Sequence, residues 1–115
     1  MSDWYILEEH TPRAVDLADY IEWTKVAKQE GRDHRRVALS EVRPSVFVST
    51  VFLGLDHGFG DVPILFETMI YDDDGFWDYQ NRYMSWEQAE LGHEQAVDSV
   101  RKALIVRNSE ADNGI

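Results

Sequence analysis

The stretch PSVFVSTVFLGLDHGFGDVPILFETMIY, residues 44–71, holds two apolar runs joined by a glycine-broken loop, and its reading decides the fold. In the first run Val46, Val48, Thr50 and Phe52 fall on one side of an extended chain, and Phe47, Ser49, Val51, Leu53 and Leu55 on the other. Both sets are largely apolar, so the run reads as a central strand with both faces covered. The second run repeats the pattern, with Ile64, Phe66, Thr68 and Ile70 opposing Leu65, Glu67, Met69 and Tyr71. Two neighbouring strands are predicted, and the concentrated polar chemistry of the chain sits at their ends.

Outward from this pair, Val37 to Val42 alternates and is stopped by Pro44, which predicts a third strand. From Val15 to Glu30, with Ala14 just before, an apolar stripe of Ala14, Leu17, Ala18 and Ile21 recurs at helical spacing. Asp16, Asp19 and Glu22 stand near its start and Lys25 and Lys28 near its end. That order complements the helix dipole, and Gly31 supplies the stop. Trp4 to Leu7 reads as a short strand that Thr11-Pro12 cannot continue. On the other side, Asp72-Asp73-Asp74-Gly75 is a turn sequence, because Asp tolerates turn geometry and Gly a positive φ. Phe76, Trp77, Tyr79, Tyr83 and Trp86 follow, with an edge strand over Asn81 to Met84. Ser85-Trp86-Glu87-Gln88 is a capping box that opens a helix running to Val106 on the stripe Trp86, Ala89, His93, Ala96, Val97, Val100, Ala103 and Leu104.

Short turns rather than helices separate the central strands, which favours antiparallel neighbours. The predicted class is α+β: a single antiparallel sheet of four to five strands with two helices packed on one face. One domain is expected over residues 1–107, with 108–115 as a polar, flexible tail.

Composition narrows the function. With 22 Asp and Glu against 11 Lys and Arg, the net charge of −11 repels phosphate backbones and anionic membranes, so direct nucleic-acid binding is not expected. Residues 25–43 run against this trend, carrying six basic and three acidic side chains, a stripe able to orient a partner. The absence of cysteine removes disulfides, thiolate metal sites and thiol nucleophiles. No window approaches the roughly 18 apolar residues of a membrane span, and the N-terminus lacks a basic leader with an apolar run, so a cytoplasmic protein is expected.

Candidate chemistry centres on the loop Leu55-Asp56-His57-Gly58-Phe59-Gly60-Asp61. Its glycines allow close backbone approach to a ligand, and Asp and His can bind, orient or transfer protons. The plain alternative is a connecting loop in which Asp56 bonds its own backbone. Glu67 is an acid inside an apolar strand: it lies at an edge in water or is buried with an Arg or His partner. His93, on the stripe of the last helix next to Gly92, is a hydrogen-bonded core residue or a ligand. Together Asp56, His57, Glu67 and His93 would suffice for an oxygen and imidazole metal site, and His57, Glu67 and His93 for acid and base catalysis. Their spacing matches no named metal or catalytic motif, and the chain carries no cofactor signature. The aromatic group from Phe76 to Trp86 is core or a stacking platform. Trp77 beside Asp72, Asp73 and Asp74 makes a protein-binding edge.

TVFLGLDHGFG at residues 50–60, PILFETMIY at 63–71 and RYMSWEQAELGH at 82–93, in that order, resemble a family of small proteins of tailed phages, prophages and actinobacteria. The resemblance spans residues 36–100 and implies a phage-type accessory protein in the cytoplasm of a host cell; it carries over no catalytic residue. The leading expectation is therefore a binding protein that sequesters or inhibits a host protein or small molecule, a counter-defence inhibitor being one version. The alternatives are a small metal-assisted or acid/base enzyme acting on a nucleotide-like substrate, and a structural phage component that forms a homo-oligomer through a sheet edge near residues 81–84.

Overall fold

The computed structural model describes residues 3–58 and 60–113, the segment 104–113 by its backbone alone. In chain order the elements are β1 (Trp4–Glu8), β2 (Thr11–Val15), α1 (Leu17–Gln29), β3 (Arg36–Arg43), β4 (Val46–Phe52), β5 (Phe66–Asp72), β6 (Gly75–Tyr83) and α2 (Trp86–Asn113). The fold is α+β. Its main sheet has four antiparallel strands in the order β3-β4-β5-β6, and β1 and β2 form a separate two-stranded sheet.

The strand pair read from residues 44–71 forms the centre of the main sheet, with Phe47 opposite Tyr71 and Phe52 opposite Phe66. Burial along both strands alternates strictly. Val48, Thr50, Phe52, Phe66, Thr68 and Ile70 are buried, while Phe47, Ser49, Val51, Glu67, Met69 and Tyr71 are half-exposed. The expectation that both faces of β4 are covered is corrected here: among the described residues, only one face carries a layer. That layer is α2, which crosses all four strands and buries Ala89, Ala96 and Val100 against them.

The start of α2 follows its sequence signal. Ser85 Oγ accepts from the Gln88 amide at 3.1 Å, and the Gln88 side chain reaches back to the Met84 amide at 3.0 Å. One turn later a Cβ on Gly92 would collide with the ring of Tyr83, so the missing side chain is what lets α2 settle onto β6. The backbone stays helical to Asn113, past the end expected at Val106 and through most of the expected tail; residues 114–115 lie outside the described residues.

Two departures occur in the N-terminal third. Thr11-Pro12 does not end the β structure: after a turn at Glu9, φ 56°, the chain returns as β2, with Pro12 opposite Leu7. Proline is tolerated because β2 has only one neighbour, so an N–H can be missing on its open edge. Helix α1 begins on an Asp16 cap, whose Oδ1 accepts from the Asp19 amide at 2.8 Å, but it buries a different stripe from the one read. Leu17 and Ile21 are 47% and 43% exposed, and Ala27 is buried.

The inward residues of α1 are aromatic. Tyr20 covers Gly54 and meets Trp4 at 4.7 Å between ring centres, and Trp23 sets its edge on Phe52 at 5.9 Å. Gly54 has φ 78°, and a Cβ there would strike the Tyr20 ring, so only glycine fits. Thus α1 packs beside β1 and reaches the face under α2 through Trp23, rather than lying on the main sheet itself. The hairpin is fastened at both ends: Trp4 bridges to Leu55, and His10 stacks on Trp86 at 3.9 Å.

Candidate functional site

The loop between β4 and β5 is closed by its own backbone and by Asp56. Asp56 Oδ1 accepts from the Gly58 amide at 2.8 Å and the Ile64 amide at 3.0 Å, and the His57 amide donates to the Ile64 carbonyl at 3.0 Å. An Asx-type closure of this kind is a local alternative to ladder bonding, and it engages Oδ1 of the carboxylate twice. His57 and Asp61 are exposed on this loop, and Phe59 lies outside the described residues.

Glu67 faces the uncovered side of the sheet. Directly opposite on β6 stands Arg82, whose Nε donates to Glu67 Oε2 at 2.9 Å, and the Gln80 amide donates to the same oxygen at 2.7 Å. The acid within an apolar strand is thus a cross-strand ion pair, which explains its position without catalysis.

His93 lies on the other side of the sheet, 6% exposed beneath α2. Its Nε2 shares a hydrogen bond with Ser40 Oγ on β3 at 2.8 Å, and its Nδ1 one with Thr50 Oγ1 on β4 at 2.8 Å. Thr50 Oγ1 in turn bonds Thr68 Oγ1 on β5 at 2.6 Å. The ring therefore joins β3 to β4 directly and reaches β5 through Thr50. A neutral imidazole has one donor and one acceptor nitrogen, which matches two hydroxyl partners. Burial lowers the His93 pKa below its ordinary 6.5, with Arg36 acting in the same direction and Glu94 against it. The Ser40–His93–Thr50 chain has the atoms of a nucleophile, a base and an orienting group; His93 and Thr50 are buried between helix and sheet, and Ser40 is half-buried on the edge strand β3.

Asp56, His57, Glu67 and His93 therefore do not meet. Glu67 and His93 are on opposite faces of the sheet, and Asp56 and His57 are in the loop beyond its end. Among the described residues no group of three or more His, Asp and Glu side chains could hold a metal ion. The residues that sequence reasoning missed are Ser40, Thr50 and Thr68. Two threonines on the buried side of apolar strands were the signal that a polar partner had to come from the helix above.

A different concavity is present. Between α2 and the β5–β6 hairpin a groove of about 740 Å³ opens over Ile70, Trp77, Tyr79 and Val100, with Asp72, Asp78 and Lys102 beside it. Asp72 builds its wall: Oδ2 accepts from the Trp77 indole at 2.8 Å, and Oδ1 from the Asp74 amide at 2.8 Å. Of the expected binding residues, Asp72 and Trp77 line this groove, and Asp73 and Asp74 are exposed on the turn next to it. Lys102 is held by Asp98 at 2.8 Å, one turn back along α2.

Compared with known protein families, curated proteins and solved structures, the chain gives no match. Among the described residues no helix is long and apolar enough to cross a membrane.

Proposed function

We propose that this chain is a small, acidic, phage-type accessory protein that works in the host cytoplasm by binding and inhibiting a host factor rather than by chemistry. The observation that carries the reading is the groove beside Trp77. Its indole is pinned by Asp72, so an aromatic anchor is presented with little rotamer freedom left to lose on binding. An apolar floor with Asp72 and Asp78 beside it suits an apolar segment flanked by basic side chains. A body of net charge −11 draws such a segment in from a distance. Three of the polar groups weighed for chemistry, Asp56, Glu67 and His93, are engaged in loop closure, a cross-strand ion pair and a hydroxyl network, which supports a binding role.

The test is capture of the factor from host lysate by the tagged chain, followed by titration of the purified pair. Trp77→Ala is expected to weaken binding about 30-fold, the effect of losing an interface anchor worth about 2 kcal/mol. Asp73→Asn with Asp74→Asn leaves the Asp72–Trp77 bond in place and is expected to slow association and flatten its salt dependence. Binding that ignores both sets of changes would sink the groove as the binding site.

A further inference from the structure

We propose that the uncovered face of the four-stranded sheet is the contact surface of a homodimer, in which a second copy of this chain packs face to face on the first. The face lies on the opposite side of the sheet from the groove, so the inference is independent of the binding proposal. Its centre is apolar and aromatic. Phe47 stacks on Tyr71 at 5.3 Å, Tyr71 meets Phe76 edge-on at 5.7 Å, and Val51 and Met69 continue the patch along β4 and β5. Phe76 is 71% exposed, and Leu39 on the far strand is exposed as well. A solvated sheet face is ordinarily polar; here Ser49, Glu67, Gln80 and Arg82 share the face with six apolar or aromatic side chains, Leu39, Phe47, Val51, Met69, Tyr71 and Phe76.

Charge selects the occupant. Glu67 is bound to Arg82 and Gln80, and the Glu41 carboxylate accepts from the Ser45 amide at 3.1 Å, so the acids of this face are turned to partners in their own chain. Two bodies of net charge −11 repel through most orientations. Here the charge of Glu67 is balanced by Arg82 within the chain, whereas a basic partner would meet the exposed carboxylates of Asp73 and Asp74 at the turn. Size is consistent with a weak, reversible dimer. Four strands of seven to nine residues cover roughly 20 by 25 Å at ordinary strand spacings. Two copies would bury on the order of 1,000 Å², the lower bound for a specific interface. Face-to-face sheets pack about 10 Å apart, and a twofold arrangement brings the central Ser49 and Met69 close to their own copies.

Sedimentation and light scattering of the full chain from about 1 µM to about 500 µM test this directly, a range matched to an interface of this size. A monomer–dimer equilibrium is expected. Phe76→Asp and Leu39→Lys, both exposed in the monomer, are each expected to weaken it about tenfold or more with the melting temperature of the monomer unchanged. Because the chain has no cysteine, Ser49→Cys gives a single reporter thiol, expected to yield a covalent dimer with a short bis-maleimide. Trp77→Ala is expected to leave the equilibrium as it is. A monomer throughout, a dimer indifferent to Phe76→Asp and Leu39→Lys, or one broken by Trp77→Ala overturns the proposal.

Discussion

The two faces of the main sheet are built from alternate residues of the same strands, and each mixes apolar with polar side chains. The face under α2 buries two hydroxyl side chains, Thr50 and Thr68, and half-buries a third, Ser40, around His93. The face left open carries Phe47, Val51, Met69 and Tyr71. The hydroxyls under α2 sit among the fully buried Val48, Phe52, Phe66 and Ile70, so both faces are apolar and the covered one is the more so. What decides is completion: α2 supplies the one ring that satisfies the hydroxyls, together with small residues, Ala89, Gly92 and Ala96, that let the helix come close. The open face needs no such partner, since its charged groups pair across β5 and β6.

Three measurements can break or sharpen that contrast. The largest effect is expected from His93→Ala, which removes the ring partner of Ser40 and one of the two partners of Thr50 and opens a cavity under α2; urea unfolding should show a loss of about 3 kcal/mol. The pH dependence comes next. His93 is held neutral by burial and its folded pKa lies below the ordinary 6.5, so below that pH the unfolded chain takes up a proton that the folded one refuses. Stability is therefore expected to be complete above about pH 6.5 and to fall as the pH drops toward the folded value. His34, lowered chiefly by its own burial, acts with the same sign. His93→Gln should reduce the fall and leave the His34 part, whereas an undiminished fall would place its origin elsewhere. The smallest effect is expected on the open side, where Met69→Ser, measured at low protein concentration, should cost under about 1 kcal/mol. A cost equal to that of His93→Ala would mean that this face is covered after all.

Much of the architecture was legible because it rests on short-range physics. The strand pair, the Ser85 capping box and the charge order of α1 each follow from a few neighbouring residues, though α1 starts two residues later than the Val15 read for it. Glu67, His93 and Asp56 each settled into the structural role weighed beside the functional one. Harder to read were β2, hidden by a proline whose cost vanishes on an open edge, and the buried stripe of α1. There Tyr20 and Trp23 displaced Leu17 and Ile21, because a glycine and a phenylalanine far along the chain offered the aromatic rings a seat. The groove was half-visible in Trp77 and the acidic turn, but its other wall is the distant Val100.

The sequence by itself determined the periodicities, the caps and the turns, and with them the α+β class and the antiparallel centre. Only the tertiary structure decided which face of that centre α2 would cover. A period of two states that two faces exist, but when both are apolar enough to bury, α2 takes the one whose hydroxyls it can satisfy: His93 bonds Ser40 on β3 and Thr50 on β4, and Thr50 in turn bonds Thr68 on β5.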